Sequence, residues 1–460
     1  MSQPPIRGLG PEDSTDRRKL RRDIRSPIIR RLAKIGQGVP VACGLVVLMI
    51  LELVWPQSLL FWLWAMVVLL IAHHLEILKA LPLKLPQSAQ RVDPHDPGPG
   101  RQSWKKAEGK IFLGHDVDSG QEMWISERDL LTHMLLLGTT GSGKTEALIS
   151  LSLNALITGS GLFYIDPKAA PSLAVQIWQM ARLLGRDDDF RVLNFGTPRP
   201  DLNLHNRLSN TNNPFSCGTA DSLTQILASL MPPTKNGPNS VFAEKAMNLI
   251  AGLLQALVDL RDQGRLILSV AKIRQYLSVE FCLSLLDDPY ISNSSRSALR
   301  SALQTCNWSE SRPLALQSAF FEQFGYAQSY FGRALSSLTD TYGHIYGVET
   351  GEVDFQDVVL NRRILVVLLP SLEKSPLELA SLGKISLSSL KAACAVGLGV
   401  EIEGPENETL AALPLNFTGS GPFLAIVDEY AAIVTPGFEM VLTQGRGLGI
   451  AAIIASQDYA

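Results

Sequence analysis

The chain has 460 residues, too many for one hydrophobic core at ~100 to 200 residues per domain, so two or three folded units are expected. Its composition, 46% hydrophobic and 18% charged, is that of a globular protein and excludes a disordered or low-complexity chain. The net charge of −3 conceals a cluster of cations (Arg17, Arg18, Lys19, Arg21, Arg22, Arg25, Arg30, Arg31, Lys34), so the remainder is acidic and makes no whole-surface case for nucleic-acid binding. Five scattered cysteines without a CxxC pair indicate neither a zinc site nor a disulfide framework.

Residues 1–35 form a basic cytoplasmic segment. Residues 36–80 carry two apolar runs, Val39 to Trp55 and Leu59 to Ala72, joined by a short turn at Trp55-Pro56-Gln57-Ser58. The first run is near the lower limit of the ~17 to 25 residues of a spanning helix, the second reaches it only by including His73, His74 and Glu76, and a transmembrane helical hairpin of two short helices is expected. Lys/Arg residues flank both ends of the pair, which places both on the cytoplasmic side of a bacterial inner membrane with the bulk of the chain. A cleavable signal peptide is the competing reading, but the charged leader is too long and the apolar run is doubled. A buried hairpin in a soluble protein also remains open. Residues 81–105, with prolines at 82, 86, 94, 97 and 99, should sustain neither a helix nor a central strand and read as a linker.

A nucleotide-binding domain is expected over 106–202. It opens with a hairpin, Lys110 to Asp116 against Glu122 to Ile125, and leads into a buried strand followed by Gly138-Thr139-Thr140-Gly141-Ser142-Gly143-Lys144-Thr145. This is GxxxxGK[ST]. Glycines let backbone N–H groups close around a phosphate, Lys144 adds charge at the β- and γ-phosphates of ATP, and Thr145 offers a hydroxyl to Mg²⁺. The helix from Lys144 to Ile157 turns its positive end to the same place. Strand and helix then alternate (Gly161 to Ile165, Ala174 to Leu184, Phe190 to Phe195), the pattern of an α/β fold with a parallel sheet.

That alternation stops at 203–345, where helical periodicity runs almost unbroken (Ala220 to Leu230, Val241 to Leu260, Val270 to Leu277, Ser294 to Thr305, Phe331 to Tyr342) and an inserted all-α domain is expected. Residues 346–460 resume the sheet with Arg362 to Pro370, its helix Leu377 to Val396, and Phe423 to Val427. The last of these strands ends in Asp428-Glu429. Beside a phosphate loop such a pair suits Mg²⁺ at Asp428 and a general base at Glu429. The strand Leu448 to Ala455 ends near Gln457, whose amide would hydrogen-bond the γ-phosphate or the attacking water, and Arg446 in Gly445-Arg446-Gly447 would stabilise charge on the transferring phosphoryl. A strand-end polar residue and an ordinary surface arginine are the plainer readings of those two.

The order of these features, from the membrane hairpin through Gly138 to Thr145, Asp166-Pro167-Lys168, the helical insertion, Asp428-Glu429, Gly445-Arg446-Gly447 and Ser456-Gln457, resembles the coupling proteins of type IV secretion and conjugation systems. The short turn at Trp55 to Ser58 is similar to the DotL-like branch. The resemblance implies a RecA-like P-loop ATPase assembled as a homo-hexamer, which recruits effector proteins with chaperone or adaptor subunits, or relaxase-DNA, to other type IV secretion components. It also places an arginine finger at Arg446 and a sensor glutamine at Gln457. Members usually continue beyond the strand that ends near Ala460, so a truncated chain is expected. The alternatives are an FtsK-like membrane-anchored DNA translocase and a nucleotide-gated, non-hydrolysing membrane scaffold; a base at Glu429 argues against the scaffold.

Overall fold

The computed structural model describes residues 50, 64–67, 92–97, 104–106, 109, 111–115, 122–197, 208–231, 238–396, 421–435 and 437–457. Of the expected membrane hairpin, Ile50 and residues 64–67 are helical and mostly exposed, and the rest lies outside the described residues, as do the basic segment and the turn at Trp55.

In chain order the strands are β1 (Val92–Pro97), β2 (Trp104–Lys106), β3 (Ile111–His115), β4 (Glu122–Ile125), β5 (Met134–Leu137), β6 (Leu162–Asp166), β7 (Phe190–Asn194), β8 (Ile364–Leu368), β9 (Phe423–Val427) and β10 (Ile450–Ser456). The helices are α1 (Glu127–Leu130), α2 (Lys144–Ile157), α3 (Pro171–Leu183), α4 (Ala220–Ser229), α5 (Pro238–Asp262), α6 (Val270–Tyr276), α7 (Val279–Ser284), α8 (Asn293–Thr305), α9 (Ser318–Ser336), α10 (Gly343–Tyr346), α11 (Phe355–Leu360), α12 (Pro376–Val396) and α13 (Glu439–Gln444).

Six strands pair in parallel in the order β5-β10-β9-β6-β8-β7. The three at the centre, β6, β8 and β9, are buried on both faces, which is why they read as continuous apolar runs. One face, carrying Leu162, Tyr164, Val366 and Ile426, packs under α2 and α3. The other, carrying Phe163, Ile165, Val367 and Val427, shares one core with α11, α12 and the helices between β7 and β8. Every element labelled between those two strands is helical. Its entry and exit run side by side, with Asn212 bridged to Val353 and the Asn212 amide donating to Ile345 O at 2.9 Å.

Three expectations differ from the structure. The phosphate-loop strand β5 is not buried: it has one neighbour in the sheet, and Leu135 and Leu137 are 54% and 47% exposed. The proline-rich stretch at 92–97 forms a two-stranded antiparallel ribbon with β2, a setting prolines tolerate because each strand needs only one row of backbone hydrogen bonds. Helix α9 begins at Ser318, well before Phe331, and runs into a π-helical turn at Ser337–Thr341; Gly325 and Gly332 within it had obscured its start.

Among the described residues, one helix is long and apolar enough to cross a membrane, Val241–Asp262, and more than half of it is buried in the protein. It is the core of the helical block. Its Gly252 lets α8 approach so closely that an added Cβ would sit 2.9 Å from Ala302 Cβ and 3.1 Å from Ala298 O. Gly252→Val is therefore expected to overpack this contact and cost about 1–3 kcal/mol, with Gly252→Ala costing less. Urea unfolding of the two variants beside wild type measures the order.

Candidate active site

A parallel sheet brings the carboxyl ends of its strands to one edge, and the candidate residues are distributed along it. Ser456 pairs with Leu137 in register, and the Gly138 amide donates to Ser456 O at 3.3 Å, so the loops after β5 and β10 are stitched together at their start. Beyond Gly138 the chain turns through Gly141 (φ 82°) and Gly143 (φ 89°), backbone that only glycine adopts freely. A Cβ on Gly138 would meet Ser142 Oγ. Gly143 caps α2 with no side-chain acceptor, and the first amides of a helix have no partner within it, so Lys144 and Thr145 present backbone N–H groups at the helix start. The cradle fits a phosphate.

Lys144 is buried, and its ammonium donates to Gly138 O and, at 3.4 Å, to Ser456 O. It also lies 3.6 Å from Glu429 Oε1. The same carboxylate oxygen accepts a 2.7 Å hydrogen bond from Gln457 Nε2, while Thr140 Oγ1 donates to Gln457 Oε1 at 3.4 Å. Gln457 thus bridges the phosphate loop and the acidic pair. Thr145 is exposed at the mouth of the loop.

Glu429 has φ 48° and ψ 49°, a left-handed conformation uncommon outside glycine, which aims its side chain back toward Lys144 and Gln457. Asp428, 2% exposed, accepts the Glu429 amide on Oδ1 at 3.0 Å and faces Lys168 Nζ at 3.5 Å with Oδ2. Lys168 also lies 3.6 Å from Glu429 Oε1. Burial raises the Asp428 carboxyl above its ordinary range; Lys168 opposes the shift, and Glu429 and Asp166 add to it. Asp166 holds the next turn by accepting the amides of Lys168 (2.9 Å) and Ala170 (2.8 Å), with Ala169 at φ 49°. Asp166 and Lys168 were legible in the sequence only as part of a family motif; their ion pairing depends on β6 lying beside β9, which no local pattern reveals.

Arg446 does not join this group. It is exposed, in the turn before β10, where Ile450 pairs with Phe423 at the opposite edge of the sheet. A strand the length of β10 spans ~20 Å at about 3.3 Å per residue, so Arg446 cannot reach a phosphate held by its own chain.

Residues 98–176, the stretch through β5 and α2 to α3, match the FtsK/SpoIIIE family. Over 395 residues the chain is 40% identical to the type 4 coupling protein DotL of Legionella pneumophila, a match that covers 82% of this chain and 50% of that protein. The chain is a homologue of a type 4 coupling protein. It spans about half the length of that relative. Solved structures with looser likeness include the plasmid coupling protein TrwB in complex with the GTP analogue GDPNP (15% identity, TM-score 0.44, 75% of this chain and 68% of that one). VirB4 of Thermoanaerobacter pseudethanolicus is a further one (14% identity, TM-score 0.38, 76% and 77%).

The raised Asp428 pKa has a consequence for stability. The folded chain binds that proton more tightly than the unfolded chain, so the group's contribution is most favourable at low pH and falls as pH rises through the folded-state value. At neutral pH the charged form is a cost. Asp428→Asn is expected to raise the melting temperature of the nucleotide-free protein at neutral pH, with the gain shrinking as pH is lowered. Thermal melts of the variant beside wild type across pH test it.

Proposed function

We propose that this chain is the membrane-anchored motor of a type IV secretion or conjugation system, a RecA-like ATPase that recruits protein effectors or relaxase-DNA and drives them to the channel. The observation that carries the reading is the convergence of the phosphate-loop Lys144 and of Gln457 on one carboxylate oxygen, Glu429 Oε1. A scaffold that merely binds nucleotide needs the loop but has no use for a carboxylate held between a lysine and an amide.

In this reading Gly138 to Thr145 cradle the β- and γ-phosphates, Lys144 places its charge on them, and Thr145 and Asp428 hold Mg²⁺. The metal supplies charge neutralisation for the transferring phosphoryl. Glu429 takes the proton of the attacking water, and Gln457 positions that water and registers the γ-phosphate. Arg446, at the far edge, acts on the neighbouring subunit's nucleotide in a homo-hexameric ring. Residues 36–80 anchor the ring in the inner membrane as two spans with the bulk of the chain in the cytoplasm, residues 106–202 and 346–460 form the nucleotide-binding domain, and 203–345 is the inserted helical domain that faces cargo or adaptor proteins. The family match over residues 98–176 covers the phosphate-loop portion, which DNA translocases also need; the helical block between β7 and β8 favours the secretion reading.

Lys144→Ala is expected to lower hydrolysis by at least about 100-fold, the scale of losing one preorganised charge contact to the transition state. Glu429→Gln should bind ATP and leave it uncleaved. Steady-state hydrolysis beside nucleotide-binding titrations separates the two, and wild-type turnover by Glu429→Gln would refute the base.

For Arg446, each of Lys144→Ala and Arg446→Ala should be inactive alone, while mixed rings regain activity because an intact phosphate loop on one subunit meets an intact arginine on the next. Absence of recovery in mixtures shown to co-assemble would remove Arg446 from catalysis.

A further inference from the structure

Two ammonium groups, Lys144 and Lys168, converge on Glu429 Oε1, each at 3.6 Å. Lys144 belongs to the phosphate loop. Lys168 comes from a different strand end, is 48% exposed, and sits on a four-carbon stem free to turn. Its other contact is decisive. Of the two Asp428 oxygens, Oδ1 is engaged by the Glu429 amide and Oδ2 faces Lys168, so a divalent cation drawn to Asp428 meets Lys168 at the oxygen it needs. Displaced from Asp428, the ammonium remains within one carboxylate's reach of Lys144, and hence of a terminal phosphate.

The turn that carries Lys168 is wired onward by its backbone. Asp166 O accepts the Leu369 amide at 2.9 Å and Pro167 O accepts the Ser371 amide at 3.1 Å. From Ser371 the chain runs into the start of α12, where Leu377, Glu378 and Ser381 form one wall of a cleft of about 380 Å³. The opposite wall is the end of α9 and the π-helical turn, and Tyr342 just beyond that turn donates to Glu378 Oε1 at 2.5 Å. The carboxylate pair and the helical block are thus joined through the Lys168 side chain, two backbone hydrogen bonds, the short chain from Ser371 into α12, and the Tyr342–Glu378 side-chain bond.

We propose that Lys168 senses the terminal phosphate by direct contact. It pairs with Asp428 and Glu429 when a diphosphate is bound and turns to the γ-phosphate when Mg²⁺ and a triphosphate are bound. The exchange shifts the Asp166 to Ala170 turn and, through Leu369 and Ser371, the start of α12 against the helical block. This rests on the nucleotide reading of the site.

The test uses the full chain with Lys168→Met and Lys168→Arg, and reads binding and exchange instead of turnover. Removing a charge-assisted contact to the γ-phosphate should lower the preference for ATPγS over ADP about tenfold or more in Lys168→Met, with Lys168→Arg keeping most of it. In wild type, hydrogen exchange at the Leu369 and Ser371 amides should differ between the ATPγS and ADP complexes, and in Lys168→Met that difference should vanish. Lys168→Met that keeps both the preference and the exchange difference overturns the proposal and leaves the nucleotide site standing. Wild type that binds neither nucleotide overturns the site reading and this proposal together.

Discussion

Parallel pairing leaves a residue beyond a strand no choice of edge: Gly138, Asp166, Asp428 and Gln457 are neighbours because β5, β6, β9 and β10 share one direction and a hydrogen-bonded register. The side chains contribute little to that placement. The central strands can therefore be buried and almost wholly apolar, and the chemistry can be left to the few residues at and just beyond their ends, Asp166 among them. A shift of register by one residue in β9 would remove Asp428 from Lys168 and turn Val427 from the core it fills to the opposite buried face.

Charge is balanced within the same small volume. Asp428 and Glu429 face Lys144 and Lys168, and burial still raises the Asp428 carboxyl because desolvation outweighs the nearby ammonium. Left-handed backbone at Ala169 and Glu429 marks the two turns that supply these groups. Such conformations cost on the order of 1–3 kcal/mol each and persist where surrounding bonds over-determine them, as the Asp166 carboxylate does for its turn.

Much of this was legible in the sequence because it is local. GxxxxGK[ST] after an apolar run, and an apolar run ending in Asp-Glu, each signal their own structure, and the ends of α2 at Lys144 and Ile157 follow from glycine before it and Gly159 after it. Neighbour order was not legible. Nothing in Met134 to Leu137 tells that β5 lies at the margin of the sheet, and nothing near Arg446 tells that β10 starts at the far edge, since both depend on pairings between segments hundreds of residues apart. The aromatic and glycine-bearing first half of α9 hid its periodicity for a different reason: helix propensity there is weak, and packing of Phe320 and Phe324 against the core decides.

The bridge between Asn212 and Val353 has a consequence for assembly of the fold. β7 and β8 are adjacent in the sheet, yet roughly 170 residues separate them, and the entropy of closing so long a loop must be met before their pairing returns anything. Contacts within the helices are local, and the paired stem holds the two ends of the block together. The helical block therefore acts as a clamp that holds the chain ends leading to β7 and β8 together, which shortens the effective loop that their pairing must close.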